Sequence, residues 1–473
     1  MKDMKKNLRR LLPVFLVLFL LLALFGGWSL IRSGRRWFSF AGNTYARQQK
    51  KNAVAGAIYD TNGILLAYTS DSQRVYAEDE GIRRAMVHVV GDAQGNVANA
   101  VESFMAYYLY GFDMDFLDQA RLFFAGSPKA GDTISLTVDA ALSGRIASWF
   151  PSDKRGAVCV MNYRTGEVIA LLSFPNYDPM GNLAAVRQNA GQPFYNRATQ
   201  GLYAPGSTFK IVTMSAMLDA FADAAQRTYI CTGDLALSGA VITDAGTDLE
   251  RQVYVRHGDI TLERAFRVSC NNTFAQAALD LGDARLKRMA ERFGFNVNFL
   301  FRDLVVENAA YPSENRTDRE VAMTGIGQSA LAVTPMHMCL IASAVANDGI
   351  MMEPRLLKNV TNFHGQTLLD FSSQVSGTVL PKASADVIGN LMRDVVMNGT
   401  GTAAAISGVR VCGKTGSAEI DGQENTNAWF VGFLDEENCP YALSVLVEDG
   451  GGGGAVAAPI ARKIFQYLLN LNP

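Results

Sequence analysis

An α+β fold is predicted for the larger, C-terminal part of the chain, on three observations. Strand-like runs open that part at Gly156–Met161 and Val168–Leu172, and others close it at Val409–Cys412, Ala428–Leu434 and Ala442–Glu448. Between them, from Ser207 to about residue 400, apolar residues recur mainly at helical spacing, as in Ala265–Leu281 and Met336–Asn347. Strands at both ends of a helical middle imply that the two ends meet in one sheet, so the part is one unit and not two.

Residues 1–10 carry Lys2, Lys5, Lys6, Arg9 and Arg10 against Asp3, and read as a cytoplasmic tail. The uninterrupted apolar run Leu11–Ile31 is about long enough to cross a bilayer as a helix. It is followed by Arg32-Ser33-Gly34-Arg35-Arg36-Trp37 instead of a small-residue cleavage site, which favours an uncleaved signal anchor over a cleaved signal peptide. Everything beyond it is then expected on the extracytoplasmic face, with Trp28 and Trp37 at the interfaces. Residues 32–135 read as a small pedestal domain. Within it, Val54–Asp60, an Asn62-Gly63 turn and Ile64–Tyr68 spell a β-hairpin. Residues 136–473 form the main domain. Its opening strands flank a turn at Asn162–Gly166, Gly349 is placed to stop the Met336–Asn347 helix, Gly450–Gly454 reads as a loop, and an amphipathic helix runs from about Ala457 to Leu469.

Composition narrows the function. The 43 Lys+Arg balance 45 Asp+Glu, which leaves no basic face for nucleic acid. At 49% hydrophobic and 19% charged residues the chain can build substantial cores. Its six cysteines include no Cys-x-x-Cys pair and its four histidines no His-x-x-x-His spacing, so neither a metal nor a disulfide framework is expected. A bridge between Cys231 and Cys270 is left open.

The chemistry centres on Ala204-Pro205-Gly206-Ser207-Thr208-Phe209-Lys210, which puts a serine at the mouth of an apolar helix and a lysine one turn deeper. A serine hydroxyl needs a base to become a nucleophile. A lysine serves only if its pKa falls well below the usual ~10.4. Alone, Ser-x-x-Lys is a weak signal. Two further motifs follow in order: Ser269-Cys270-Asn271, ahead of an apolar helical run, and Lys414-Thr415-Gly416, directly after the Val409–Cys412 strand. Each is unremarkable by itself, since Ser-x-Asn recurs at Ser313-Glu314-Asn315 and Lys-Thr-Gly can be a strand-end turn. Together they supply what acyl transfer through serine requires. Ser207 would attack, Lys210 would take its proton and Ser269 would relay a proton to the leaving amine. The Asn271 amide would hold a substrate peptide bond. Lys414, with the Thr415 and Ser417 hydroxyls, suits a substrate carboxylate, and its charge would help keep Lys210 neutral. Gly416 permits close approach, and the backbone N–H groups of Ser207 and Ser417 would form the oxyanion hole. Pro205 and Phe209 stand where a Ser-His-Asp hydrolase would carry the glycines of a nucleophile elbow.

The three motifs in this order are shared by class A β-lactamases and penicillin-binding proteins. Over about residues 136–470 the chain resembles the class B penicillin-binding proteins, membrane-anchored D,D-transpeptidases of compact, short-pedestal type. The resemblance extends to Leu136–Leu142, Ser173-Phe174-Pro175-Asn176-Tyr177-Asp178-Pro179, Asn196-Arg197-Ala198, Gly325-Ile326-Gly327-Gln328 with Thr334-Pro335, Ala346–Gly349, Lys414–Glu419 and Ala428–Phe433. It departs from the family at Ala55-Gly56, where an arginine usually precedes the glycine. The segment before residue 136 is too short for the glycosyltransferase of the bifunctional class A proteins.

The resemblance implies a penicillin-binding transpeptidase fold, an antiparallel sheet packed between helices. It also implies cross-linking of peptidoglycan stem peptides through a Ser207 acyl-enzyme, acylation of that serine by β-lactams, a SEDS-type membrane glycosyltransferase as partner, and no metal or organic cofactor. A D,D-carboxypeptidase or β-lactam-hydrolysing relative would use the same residues with water as acceptor. A non-catalytic activator of a cell-wall glycosyltransferase would not need them intact.

Overall fold

The computed structural model describes residues 12–26, 28 and 53–471, apart from 115, 128, 238–239, 249–250, 252, 313–315 and 420–425. The expected cytoplasmic tail, the ends of the predicted span, the start of the pedestal, Trp37 and the Ser313–Asn315 repeat of the Ser-x-Asn pattern lie outside the described residues. Residues 12–26 are helical, and among the described residues no helix is long and apolar enough to cross a membrane.

A five-stranded antiparallel sheet joins the two ends of the main domain. Its order is Val411–Ala418, Asn427–Leu434, Tyr441–Val447, Gly156–Asn162 and Val168–Phe174. The joint between late and early strands runs in register from Tyr441 opposite Asn162 to Val447 opposite Gly156. Side chains alternate across a strand, so Ala157, Cys159 and Met161 enter one core while Val158 and Val160 enter the other. Burial on both faces explains the nearly unbroken apolar runs. Helix Pro335–Ala346 covers the first face, and helices Ala140–Trp149 and Ala457–Leu471 cover the second. Each buried Val or Leu in these layers contributes roughly 1.5–3 kcal/mol.

Three elements differ from expectation in ways that matter for the site. The Val411–Ala418 strand runs four residues past Lys414, so Lys414-Thr415-Gly416 lies inside an edge strand and not in the turn after it. Gly413 makes this possible, because a Cβ there would stand 2.3 Å from the Phe430 ring of the neighbouring strand. The expected Ala265–Leu281 helix is two helices, Leu262–Val268 and Asn271–Leu281. Ser269 caps the first in the left-handed conformation (φ 61°), and the Cys270 thiol caps the second by accepting the Thr273 N–H at 3.3 Å. The helical middle also holds short strands, among them Thr228–Cys231 paired with Gly258–Thr261.

The Ile58–Tyr59 and Leu65–Ser70 strands form the predicted hairpin, with Gly63 at φ 82° in its turn. They belong to a six-stranded sheet that includes Thr133–Leu136, Leu357–Thr361 and Thr367–Asp370, so this sheet spans the boundary expected at residue 135. Beside Ala55-Gly56 the buried arginine comes from a neighbouring strand: Arg74 donates to the Gly56 carbonyl at 2.7 Å and pairs with Glu102 at 2.5 Å. Arg83, on helix Glu80–Val90, grips Asp178 through two bonds of 2.8 and 2.9 Å and so ties this part to the segment following the Val168–Phe174 strand.

Candidate active site

Ser207 sits in a 3₁₀ turn, Gly206–Phe209, that runs into the α-helix Lys210–Ala220. The turn is held from several sides. Gly206, at φ 54°, donates its N–H to the Gly327 carbonyl at 2.9 Å, and a Cβ on Gly327 would stand 1.8 Å from the Gly206 oxygen. The Thr208 hydroxyl donates to the Pro205 carbonyl at 2.6 Å, and Trp429 Nε1 donates to the Ala204 carbonyl at 3.1 Å. Ser207 is half-buried at the surface of this assembly, whereas Lys210 is wholly buried one turn deeper.

Lys210 Nζ donates to the Ser269 carbonyl at 2.7 Å, to Asn271 Oδ1 at 2.8 Å and to Ser269 Oγ at 3.3 Å. Burial pushes its pKa down to about 8, against the opposing pull of Cys270 and Asp244. Part of the burial comes from Phe274, whose ring centre lies 5.4 Å from the ammonium. The depressed pKa that a lysine base requires is therefore a product of desolvation, rather than of the Lys414 charge invoked from the sequence.

The left-handed Ser269 aims its hydroxyl at both lysines. Lys414 Nζ donates to Ser269 Oγ at 2.8 Å and to the Thr415 carbonyl at 3.0 Å. Burial, followed by the Lys210 charge, holds Lys414 well below the usual lysine range. Its ammonium is thus turned toward Ser269 and away from the solvent. Thr415 shares a hydrogen bond of 2.6 Å with Thr400, and exposed Ser417 accepts the Gly453 N–H at 3.4 Å. A Cβ on Gly416 would lie 3.0 Å from Thr208 and 3.1 Å from the Pro205 carbonyl, so glycine lets this strand lie against the serine turn. The Asn271 amide is fixed at both ends, with Oδ1 on Lys210 and Nδ2 donating to the Thr243 carbonyl at 2.9 Å. Asp244 Oδ1 accepts the Asn271 backbone N–H.

The fold gathers Ser207, Lys210, Ser269, Asn271, Lys414, Thr415, Gly416 and Ser417 where the serine turn, the break between two helices and the edge strand meet. A cleft of about 900 Å³ lies alongside, bordered by Tyr203, Ala204, Met323, Gln328, Glu419 and Asn427. Thr400, Thr243 and Asp244 support the site but escape sequence reasoning. Thr243 acts through its main chain, and the other two stand in no motif.

A model of the penicillin-binding protein transpeptidase domain matches residues 156–466. The chain is 31% identical over 383 residues to the peptidoglycan D,D-transpeptidase PbpA of Mycolicibacterium smegmatis, covering 73% of this chain and 74% of the relative. It is 28% identical over 381 residues to the peptidoglycan D,D-transpeptidase MrdA of Haemophilus influenzae, with coverage of 72% and 57%. Among solved structures, the ceftriaxone acyl-enzyme complex of penicillin-binding protein A from M. tuberculosis superposes with a TM-score of 0.79 at 26% identity, over 89% of this chain and 99% of that one. The penicillin G acyl-enzyme of the same protein gives 0.77 at 26% identity, over 88% and 100%. With the family's transpeptidase domain matched over residues 156–466 and the three motifs meeting at one site, the chain belongs to the penicillin-binding proteins, as a member of their class B.

Proposed function

We propose that the chain is a peptidoglycan D,D-transpeptidase that cross-links stem peptides through an acyl-enzyme on Ser207, and that penicillins acylate the same serine. The observation that carries this reading is Lys210: buried, with its pKa pushed down to about 8, one turn from Ser207 and bonded to Ser269 and Asn271. A neutral Lys210 takes the Ser207 proton as the hydroxyl attacks the carbonyl of a D-Ala-D-Ala bond. Ser269 passes a proton to the departing amine, and Lys414 orients the Ser269 hydroxyl. The backbone N–H groups of Ser207 and Ser417 receive the oxyanion. With Asn271 Oδ1 and one Nδ2 hydrogen engaged inside the protein, its second Nδ2 hydrogen is left to donate to a substrate carbonyl. Thr415 and Ser417 present hydroxyls to the substrate carboxylate. An amine on a neighbouring stem then accepts the acyl group.

The run Leu11–Ile31 and its flanking cations support a single-pass anchor with the catalytic domain on the extracytoplasmic face. Residues 32–135 serve there as a pedestal for the 136–473 domain, and a SEDS-type glycosyltransferase in the same membrane is the partner. The test is labelling of the detergent-solubilised chain with a fluorescent penicillin, beside Ser207→Ala. A long-lived adduct that requires Ser207 is expected. Rapid turnover of the label would make the protein a hydrolase, and no label on a folded sample would make it a scaffold.

A further inference from the structure

Next to Asn271, four side chains of different segments converge. Cys231 ends the Thr228–Cys231 strand, and His257 immediately precedes its antiparallel partner Gly258–Thr261. Asp244 follows the Ala240–Thr243 strand, and Cys270 caps the helix that begins at Asn271. Both thiols are buried and unbridged. The four donor atoms all lie within 4.8 Å of one another. Asp244 Oδ2 stands 3.3 Å from Cys231 Sγ, 3.2 Å from Cys270 Sγ and 3.2 Å from His257 Nδ1. Cys231 Sγ is 3.4 Å from His257 Nδ1 and 3.6 Å from Cys270 Sγ.

Five of the six edges of the ligand tetrahedron thus measure 3.2–3.6 Å, close to the size zinc requires, and the sixth, from Cys270 to His257, is under 4.8 Å. Zinc binds thiolate sulfur at about 2.3 Å and imidazole nitrogen or carboxylate oxygen at about 2.0–2.2 Å, which sets ligand atoms roughly 3.3–3.8 Å apart. Two thiolates select a zinc-like ion over magnesium or calcium, and four protein ligands leave no open position, as in a structural site. We propose that Cys231, Asp244, His257 and Cys270 bind one zinc-class cation, and that this ion fixes the Ser269-Cys270-Asn271 motif in its working position. Coordination releases the two thiol protons to solvent and leaves the ion held by two thiolates, a carboxylate and a neutral imidazole. The Thr273 N–H, 3.3 Å from Cys270 Sγ, supports the thiolate. His257, 18% exposed, lies on the solvent side and offers a way in.

The coupling to catalysis runs through two ligands. Cys270 lies between Ser269 and Asn271 in the chain. Asp244 turns one oxygen to the thiols while the other accepts the Asn271 N–H and, at 3.4 Å, the Asn272 N–H. Drawing these ligands onto one ion locks the helix break at Ser269 to the strands of residues 228–261. The linear spacing that argues against a metal is answered by topology, which folds strands and a helix end around one point.

The cation site stands independently of the proposed function, and its role in positioning rests on that function. The full chain, purified in detergent under reducing conditions and exchanged into metal-free buffer, is expected to retain one zinc per chain. After chelation, titration with Co²⁺ should raise a thiolate-to-cobalt charge-transfer band that saturates at one equivalent, which tests the wild-type chain without relying on variants that might misfold. His257→Asn and Cys231→Ser should lower the zinc content at least tenfold. Ser207-dependent penicillin labelling should slow at least tenfold on chelation and recover with one equivalent of zinc. A folded, reduced chain with no retained metal and no thiolate–cobalt band overturns the site, as does an isolated chain carrying a Cys231–Cys270 disulfide. Bound metal with unchanged labelling overturns the positioning role alone, and absent labelling with metal present overturns the proposed function and leaves the site standing.

Discussion

Lys414 donates to the Ser269 hydroxyl at 2.8 Å from wholly within the protein. The lysine of the third motif therefore acts on substrate largely through the serine of the second. Ser269→Ala and Lys414→Ala should each slow acylation about 100-fold, the usual size of a lost proton-transfer group. The double variant should be scarcely slower than either, because a shared step is lost once. Stopped-flow acylation by a fluorescent penicillin measures this. Multiplying losses would mean that Lys414 contacts the substrate independently.

Lys210 must be neutral to accept the Ser207 proton, and burial sets its pKa at about 8. In the free protein the acylation rate should accordingly rise with pH, about tenfold per unit below 8, and level off above it. The same shift bears on stability. A lysine whose folded pKa lies below its unfolded value makes the protein relatively more stable as pH climbs from about 8 toward 10.5. Lys210→Ala should abolish the ascending limb along with nearly all acylation. A rate that is flat between pH 6 and 9 would remove Lys210 as the base.

The ends of the fold were more legible in the sequence than its middle. Runs such as Val445-Leu446-Val447, short, β-branched and bounded by polar residues, read as strands buried on both faces, and pairing them with Gly156–Met161 follows from the arrangement of elements. All three motifs were readable because each is local. Two features were hidden, the first because helical periodicity continues straight across it and the second because it is decided by a neighbouring strand. The break at Ser269 depends on a left-handed residue that is not glycine, and the extension of the Val411–Ala418 strand through Lys414 depends on Phe430 occupying the space Gly413 leaves. Asp244 and Thr400 gain their roles from tertiary contact alone, and no spacing announces that.

Glu448, next after the Tyr441–Val447 strand, ties the segment that leads into the serine turn to the sheet. One oxygen accepts from Arg197 Nε and from the Tyr203 hydroxyl, each at 2.7 Å, and the other pairs with Arg155 at 2.8 Å. Arg197 is 4% exposed, so loss of its partner strands a buried charge. Glu448→Ala should cost about 3–5 kcal/mol, read as a lowered denaturant midpoint. Arg197→Ala with Glu448→Ala should cost less than the sum of the two. Additive losses would show that the pair is not coupled.

The glycine loop after the last strand offers a comparison between adjacent positions. A Cβ on Gly453 would stand 2.2 Å from the Trp429 carbonyl oxygen and 2.4 Å from that of Gly416, whereas one on Gly452 would meet nothing within 4 Å. Both obstacles at Gly453 are main-chain atoms of paired strands, one of them inside the Lys414-Thr415-Gly416 motif, so neither can yield by a rotamer change. Gly453→Ala must push the edge strand away from the serine turn. It should cost roughly 1–3 kcal/mol by overpacking and slow penicillin acylation at least tenfold. Gly452→Ala should leave stability within about 0.5 kcal/mol and acylation unchanged. The two variants differ by one residue in position and share the same change in backbone entropy. A difference between them in melting temperature and acylation rate therefore isolates the close approach, and equal behaviour would mean that the loop does not brace the motif.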